Sequence, residues 1–458
     1  MPNPLRKHLI VLKIPLLLSL GSILLYISFA HDLVRSDFIK LISLYGALFF
    51  FSVKLVQTAQ WNFRFLVIVG VLFRLVFLWA TPNLSQDFYR FIWDGNLVIN
   101  GLNPYLYTPN EILDWKEIPI ANYTQLFEGM GELSAKHFSN YPPFNQALFA
   151  IAALFGGKSI LGSIIVLRLQ IILADIGLLY FGKKLLDQLG KPTHTIFWYF
   201  LNPLVIIELT GNLHFEGVML FFMVWAIYLV LKGNWLTSAP IYALSILTKL
   251  LPILFLPLFL RFLGIKKSVG FYVMVIASCV LLLLPFYDAN FVGNYGETIG
   301  LWFSNFEFNA SIYNLVKSIG VHFFDAKPWL LVKTYGSTIA LLVVLVTMGM
   351  AFLRKNELPK TLLTSILFVL AFYFLLSSTV HPWYLVTLLF LGLAGGYRFP
   401  LIWTALVILS YSAYANPDYQ ENLWLLAIEY LIVFGFLFYE ISRNKGNLFQ
   451  FFKKSTYL

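Results

Sequence analysis

LIVLKIPLLLSLGSILLYISFA, residues 9–30, is an apolar run with a single charged side chain, that of Lys13. A helix of about 20 apolar residues crosses the hydrocarbon layer of a bilayer. Arg6 and Lys7 precede the run, as in a signal peptide, but the run is longer than the core of roughly 7–15 residues that such peptides have. Further apolar runs follow it along the chain. We therefore predict that residues 9–30 form a retained membrane-spanning helix.

The composition extends this prediction to the whole chain. Of 458 residues, 59% are hydrophobic and only 12% are charged, with a mean hydropathy of +0.77. A soluble domain carries about 25% charged residues, so this chain cannot cover a water-facing globule. The net charge of +10 does not indicate a nucleic-acid partner, because basic residues collect in short loops, as the positive-inside rule describes. The single cysteine, Cys279, cannot form an intrachain disulfide.

The apolar runs predict an all-α, polytopic transmembrane bundle of about 12–14 spans, built as a single domain over residues 1–458. The runs are 9–30, 38–57, 63–80, 160–182, 194–209, 213–232, 236–249, 251–263, 268–287, 330–353, 361–378, 381–397, 399–414 and 422–441. Two regions stay open: 143–156 is apolar but short, and 236–263 could be one helix kinked at Pro252.

Charge predicts the orientation of these spans. With a cytoplasmic N-terminus, alternation places the basic clusters around Lys183, Lys266 and Lys355 inside, as the positive-inside rule requires. The outside then receives two long loops, 81–142 and 288–329, the first with seven acidic and three basic residues. This sorting requires that 143–156 does not cross and that 236–263 forms a hairpin. Because loops of such length usually have a role in binding or chemistry, we expect the functional site there.

The first outer loop contains SQDFYRFIWDGNLVINGLNPYLYTPNE, residues 85–111. At 100° per residue, a helix here places Asp87, Arg90 and Asp94 on one face. The opposite face is apolar and aromatic and consists of Phe88, Tyr89, Ile92 and Trp93. This pattern predicts an amphipathic helix in the membrane interface, ending at Gly95 or Gly101.

Two acidic residues and one basic residue thus lie directly after a predicted span, at the level of lipid headgroups. Transfer of a sugar to a hydroxyl needs a carboxylate that accepts the hydroxyl proton. It also needs positive charge beside the departing phosphate. An ordinary interfacial helix with solvated charges remains the alternative interpretation.

DFYRFIWDG (87–95) followed by GLNPY (101–105) resembles the first outer-loop motif of bacterial GT-C glycosyltransferases, most of all the polyprenol-phosphate-mannose-dependent mannosyltransferases. Asn96 departs from the pattern, since these relatives often carry arginine there. Further similar stretches are YPPFNQ (141–146), LNPLVIIELTGNLHFEG (201–217), LTKLLPILFLPLFL (247–260) and HPWYLV (381–386).

The resemblance implies an inverting transferase that moves a hexose, with mannose the first expectation, from a polyprenyl-phosphate donor to a glycan or lipid-linked acceptor. The active site would face outward from a bacterial plasma membrane. Asp87 matches the general base, and Arg90 and Asp94 would position donor or acceptor. The other expected donor- or acceptor-binding residues are Asn103, Tyr105, Tyr141, Gln146, Arg168, His214, Glu216, Lys249 and His381.

Several of these residues have a second interpretation. Lys249 could hold the donor phosphate or reach toward headgroups. Arg168 lies seven residues before Asp175, on the same helix face, which favours a buried ion pair over phosphate binding. His214 and Glu216 could bind sugar hydroxyls or simply end a helix. Glu208 and Glu429 are expected to be structural or interfacial.

Asp87 and Asp94 could together hold Mg²⁺ or Mn²⁺ through oxygen ligands. We expect no obligatory metal, because Arg90, Lys249 and Arg168 could neutralise the phosphate instead. The main rival function is a polytopic transporter or lipid flippase. Transporters place their sites near the bilayer midplane at broken helices, whereas the polar residues here concentrate at the outer edge.

Overall fold

A computed structural model of the protein describes residues 4–304 and 306–443, and its secondary structure there is helical apart from one isolated bridge between Phe308 and Thr379. The predicted all-α class is confirmed. The chain divides into two compact units. The first consists of Met1–His137, Gln146–Val218 and Tyr411–Gln420, and the second of Phe138–Asn145, Met219–Ser410 and Glu421–Leu458.

The helices of the first unit are numbered α1 to α9 along the chain, and α7 begins just before the unit's boundary. They are α1 (Pro4–His31), α2 (Phe38–Ala59), α3 (Phe63–Leu75), α4 (Asp87–Ile99), α5 (Pro109–Leu113), α6 (Tyr123–Ala135), α7 (Pro143–Gly156), α8 (Ile160–Gln188) and α9 (Phe197–Phe200). A 3₁₀ turn, Thr193–Ile196, and a π-helical segment, Val205–Gly211, flank α9.

The remaining helices belong mainly to the second unit. They are α10 (Glu216–Leu231), α11 (Trp235–Thr248), α12 (Phe259–Leu263), α13 (Ile265–Leu283), α14 (Phe291–Ser304), α15 (Ile312–Phe324), α16 (Pro328–Leu353), α17 (Pro359–Leu376), α18 (Leu385–Gly395), α19 (Phe399–Leu406) and α20 (Leu423–Arg443). Short 3₁₀ segments join some of them, at Leu251–Leu258, Leu284–Phe286, Pro382–Tyr384 and Val407–Ala415.

The predicted spans correspond to helices, with one exception: 194–209 is broken into three short pieces. Between residues 4 and 443, leaving out 305, seven helices are long and apolar enough to cross a membrane, or eight if one bent pair counts as a span. Five shorter apolar helices accompany them, one of which is Pro143–Gly156, the helix that the charge sorting requires not to cross. The predicted number of at least 12 spans would therefore require the bent pair and the other four short helices to cross. The region 236–263 does form two helical pieces, separated at Lys249 by extended backbone. The protein is a multi-pass membrane protein.

Helix starts follow local side-chain chemistry. The side chains of Asp37, Asn62 and Ser159 accept hydrogen bonds from backbone N–H groups in the first turns of α2, α3 and α8, at 3.1, 3.1 and 3.0 Å. Thr108 and Glu111 form a capping box that starts α5. Such caps satisfy N–H groups that have no partner within the helix. They also fix the residues at which these helices begin and the preceding loops end.

The helix predicted in the first outer loop is confirmed as α4, and of the two proposed ends Gly101 is the better, since the chain turns there with φ +75°. The aromatic side does not face lipid, however. Phe88, Ile92 and Trp93 are all buried within the protein. Amphipathic periodicity identifies two sides of a helix but does not say what covers them, and here protein covers both.

Gly95 explains how α4 can be buried so closely. A Cβ atom at this position would lie 2.2 Å from the carbonyl oxygen of Phe149 in α7. At Gly129 of α6, a Cβ would lie 2.6 Å from the ring of Tyr89. Gly95 therefore allows α7 to approach the backbone of α4, and Gly129 allows α6 to pack against the ring of Tyr89.

We predict that Gly95→Ala destabilises the protein by about 1–3 kcal/mol, because the added methyl meets rigid backbone. The measurement is the thermal unfolding midpoint of the purified protein in detergent. Gly46→Ala is the matched control, since its Cβ would meet nothing within 4 Å and alanine favours the helix. Equal midpoints for the two variants would contradict the close approach of α4 and α7.

Candidate active site

Asp87 is the first residue of α4 and is half-buried. Its backbone N–H donates to Ser85 Oγ at 3.3 Å, and the preceding Leu84 N–H donates to the side-chain oxygen of Asn212 at 2.9 Å. The start of α4 is thus tied to the segment that contains His214. The predicted base is therefore held on a rigid helix while still partly exposed.

Arg90 and Asp94 lie side by side on α4, as the helical spacing predicts, with Arg90 Nε 2.7 Å from an oxygen of Asp94. Arg90 also donates to the backbone carbonyls of Ser134 and His137, at 2.6 and 2.9 Å. The second oxygen of Asp94 accepts from Gln146 at 3.2 Å. Both charged side chains are buried. This arrangement fixes α4 against the end of α6 and the chain that follows it. Arg90 and Asp94 would therefore position substrate indirectly, by holding the helix that begins with Asp87.

The segment 201–217 forms a broken helix. The π-helical stretch Val205–Gly211 and α10 meet at 110°, and Leu213 between them has φ +64°. A left-handed conformation is rare for a bulky residue and marks a position that the surrounding structure enforces. The break brings Glu208, His214 and Glu216 inside the protein, where they are 0, 2 and 4% exposed.

Arg168 stabilises this break. Its guanidinium donates to the carbonyl oxygens of Thr210, Gly211 and Leu78, at 2.7, 3.0 and 3.0 Å. The predicted ion pair with Asp175 is not formed. Asp175 instead pairs with Arg74 of α3 at 2.8 Å. Fully buried and bonded to three carbonyls, Arg168 has the contacts of a structural residue, and phosphate binding by it stays a prediction.

Glu208 forms the centre of a polar cluster that the sequence did not reveal. Tyr411 donates its hydroxyl to Glu208 at 2.7 Å, and His214 Nε2 lies 3.6 Å from the other carboxylate oxygen. Glu208 also interacts electrostatically with Arg35 and Glu216. The sequence predicts a structural or interfacial role for Glu208, although acids between apolar segments are functional candidates by default.

Tyr414, which Arg35 contacts, connects this cluster to the predicted base. The Arg35 guanidinium lies 3.2 Å from the ring centroid of Tyr414. Tyr414 interacts electrostatically with Arg35, Asp87 and Glu208. Arg35, Asp87 and Tyr414 are half-buried. We call Arg35, Asp87, Glu208, His214, Tyr411 and Tyr414 the Glu208 cluster.

One feature of the sequence could have indicated Arg35 as a functional residue, namely its position. It lies in the short connection between α1 and α2, which the charge sorting places outside. A basic residue on that side runs against the positive-inside rule, and such an exception calls for an explanation.

In the second unit, Lys249 and Tyr141 come together. The Lys249 ammonium lies 5.5 Å from the ring centroid of Tyr141, and both residues are half-buried. This is a cation–π distance. The other predicted residue here, His381, stacks between Phe308 and Trp383, with ring centroids 5.0 and 4.4 Å away. Lys249 and Tyr141, two of the predicted binding residues, are therefore in contact. His381 is part of an aromatic stack.

Asn103 and Tyr105 shape the chain after α4. The side-chain oxygen of Asn103 accepts from the Tyr105 N–H at 3.0 Å, and its carbonyl accepts from Leu106 at 3.1 Å. Tyr105 is fully buried. The GLNPY stretch is thus a turn held by its asparagine, a common use of Asn before proline.

Metal binding by Asp87 and Asp94 stays a prediction. Asp94 has both oxygens in hydrogen bonds, to Arg90 and Gln146. Within residues 4–304 and 306–443, no three His, Cys, Asp or Glu side chains are grouped as metal ligands would be.

The sequence of this chain is similar to those of known proteins. The profile of the family described as "Alpha-(1->6)-mannopyranosyltransferase, N-terminal domain" matches residues 21–264. This range contains α4, the broken helix and Lys249.

Two curated proteins are similar to the chain. Alpha-(1->6)-mannopyranosyltransferase A of Mycobacterium tuberculosis is 22% identical over 323 residues, which cover 67% of this chain and 60% of that protein. Alpha-(1->6)-mannopyranosyltransferase B of Corynebacterium glutamicum is 24% identical over 156 residues, which cover 34% of this chain and 25% of that protein. The matches thus span less than two thirds of either relative. The family profile matches more than half of the chain, and the chain belongs to the alpha-(1->6)-mannopyranosyltransferase family.

Proposed function

We propose that this protein transfers mannose from a polyprenyl-phosphate donor to a glycan or lipid-linked acceptor, at the outer face of a bacterial plasma membrane. The observation that carries the proposal is the placement of Asp87. A partly exposed carboxylate begins a rigid, buried helix within a membrane protein of a mannosyltransferase family. The donor, the inversion and the orientation come from the resemblance of DFYRFIWDG and from charge sorting.

In the proposed reaction, an acceptor hydroxyl attacks the anomeric carbon of the donor mannose. The bond from that carbon to the phosphate oxygen breaks, and polyprenyl phosphate leaves with its electron pair. Asp87 accepts the hydroxyl proton, as a general base must do at this step. Attack opposite the leaving group inverts the anomeric configuration.

A transporter or lipid flippase is the second candidate, because the 110° break between Val205–Gly211 and α10 resembles the broken helices of transporters. Transfer in detergent distinguishes the two functions. A transferase converts substrates in solution, whereas a transporter requires two compartments. Accumulation of a substrate in proteoliposomes, with no transfer in detergent, would favour the second candidate.

We predict that purified wild-type protein transfers labelled mannose from polyprenyl-phosphate mannose to a mannose oligosaccharide, and that Asp87→Asn lowers kcat about 10²–10⁴-fold, the range for loss of a general base. Donor binding should persist in the variant, since the asparagine keeps the size of the side chain. Glu111→Gln is a control with an acid in the same loop, exposed and capping α5. Equal kcat values for wild type and Asp87→Asn would overturn the assignment of the base.

We further predict that transfer continues in excess EDTA, because the oxygens of Asp94 are already bonded to Arg90 and Gln146. Initial rates with and without chelator test this. A loss of activity that Mg²⁺ or Mn²⁺ restores would show that a divalent metal is required.

The orientation predicts the labelling of single cysteines in intact cells. In a Cys279→Ser background, Lys116→Cys should react with a membrane-impermeant maleimide, whereas Lys355→Cys should react only after lysis. Both positions are exposed in the structure, so burial cannot account for a difference. The reverse pattern would place α4 on the cytoplasmic side.

A further inference from the structure

We propose that the Glu208 cluster is the subsite for the acceptor sugar, with Arg35 and Tyr414 as its binding residues. This inference rests on the proposed function and deepens it. It assigns one substrate to a set of residues in the first unit. It also gives a role to Arg35, Glu208 and Tyr414, none of which is among the binding residues expected from the sequence.

The cluster is built from distant parts of the chain. Arg35 follows α1, Asp87 begins α4, Glu208 lies in the π-helical segment, and Tyr414 lies near residue 411, where the chain returns to the first unit. The Arg35 guanidinium lies over the ring of Tyr414, and Tyr411 donates its hydroxyl to Glu208. Tyr414 interacts electrostatically with Arg35, Asp87 and Glu208. Four separate parts of the chain thus contribute polar side chains to one cluster.

The chemistry of the cluster fits a polyhydroxylated ligand. Carboxylates accept hydrogen bonds from hydroxyls, the guanidinium donates them, and a tyrosine hydroxyl does both. Arg35 Nε is buried and has no hydrogen-bond partner in the described part of the chain, so a donor there is still to be satisfied. The half-buried faces of Arg35, Asp87 and Tyr414 leave the cluster accessible.

Charge decides between the acceptor and the donor phosphate. Arg35 is the cluster's permanent cation, and the acidic residues Asp87 and Glu208 belong to the same cluster. Glu208 interacts electrostatically with Arg35, so this cation already has an acidic partner and is less available to an incoming phosphate. The cluster therefore suits a neutral sugar better than a phosphate.

The test measures the two substrates separately, using full-length protein in detergent. With Arg35→Gln, the KM for a mannose oligosaccharide acceptor should rise about tenfold, and the KM for polyprenyl-phosphate mannose should stay within about twofold; tenfold corresponds to about 1.4 kcal/mol. Tyr414→Phe should shift the same constant in the same direction. Arg64→Gln is the matched control, an exposed arginine in α3 of the same unit.

A rise in the donor KM alone would identify a phosphate site and overturn the inference, as would unchanged values for both substrates. If wild type transfers no mannose, the proposed function fails, and binding then tests the subsite on its own. Loss of oligosaccharide binding in Arg35→Gln, with retained binding of polyprenyl phosphate, supports the subsite. Equal oligosaccharide binding by wild type and variant refutes it. Arg35→Lys, which keeps the charge, serves if the glutamine variant does not fold.

Discussion

A helix broken inside an apolar protein leaves carbonyl and N–H groups that its own turns cannot satisfy, and each such group costs several kcal/mol in hydrocarbon. In the first unit this cost is met by Arg168, whose guanidinium donates to the carbonyls of Leu78, Thr210 and Gly211. The break in turn positions His214 beside Glu208. The Glu208 cluster therefore depends on Arg168, although Arg168 is not one of its members.

The local part of the site could be predicted from sequence spacing. Helical geometry at 100° per residue placed Arg90 next to Asp94, and the structure confirms this contact. The same reasoning failed for Arg168 and Asp175. They do share a helix, but Arg74 reaches Asp175 from α3, and spacing within one helix contains no information about a neighbouring helix.

Burial was harder to predict than helix formation, for a related reason. The two-sided pattern of α4 identified a helix, yet its aromatic side packs inside the protein because Gly95 and Gly129 admit other helices at close range. Arg35, Tyr411 and Tyr414 escaped the sequence analysis because they join Glu208 only through tertiary contacts. More than 370 residues separate Arg35 from Tyr411 along the chain. A sequence motif covers only a short stretch and cannot relate residues so far apart.

The contacts of Arg168 also bear on how far the broken helix can act as transporter helices do. In ion-coupled transporters, carbonyls at such a break coordinate a sodium ion that arrives and leaves with each cycle. Here the carbonyls of Thr210 and Gly211 already face a covalently attached cation. An arginine that cannot dissociate thus occupies the two carbonyls where such transporters bind an exchangeable ion, and it keeps a positive charge at the break.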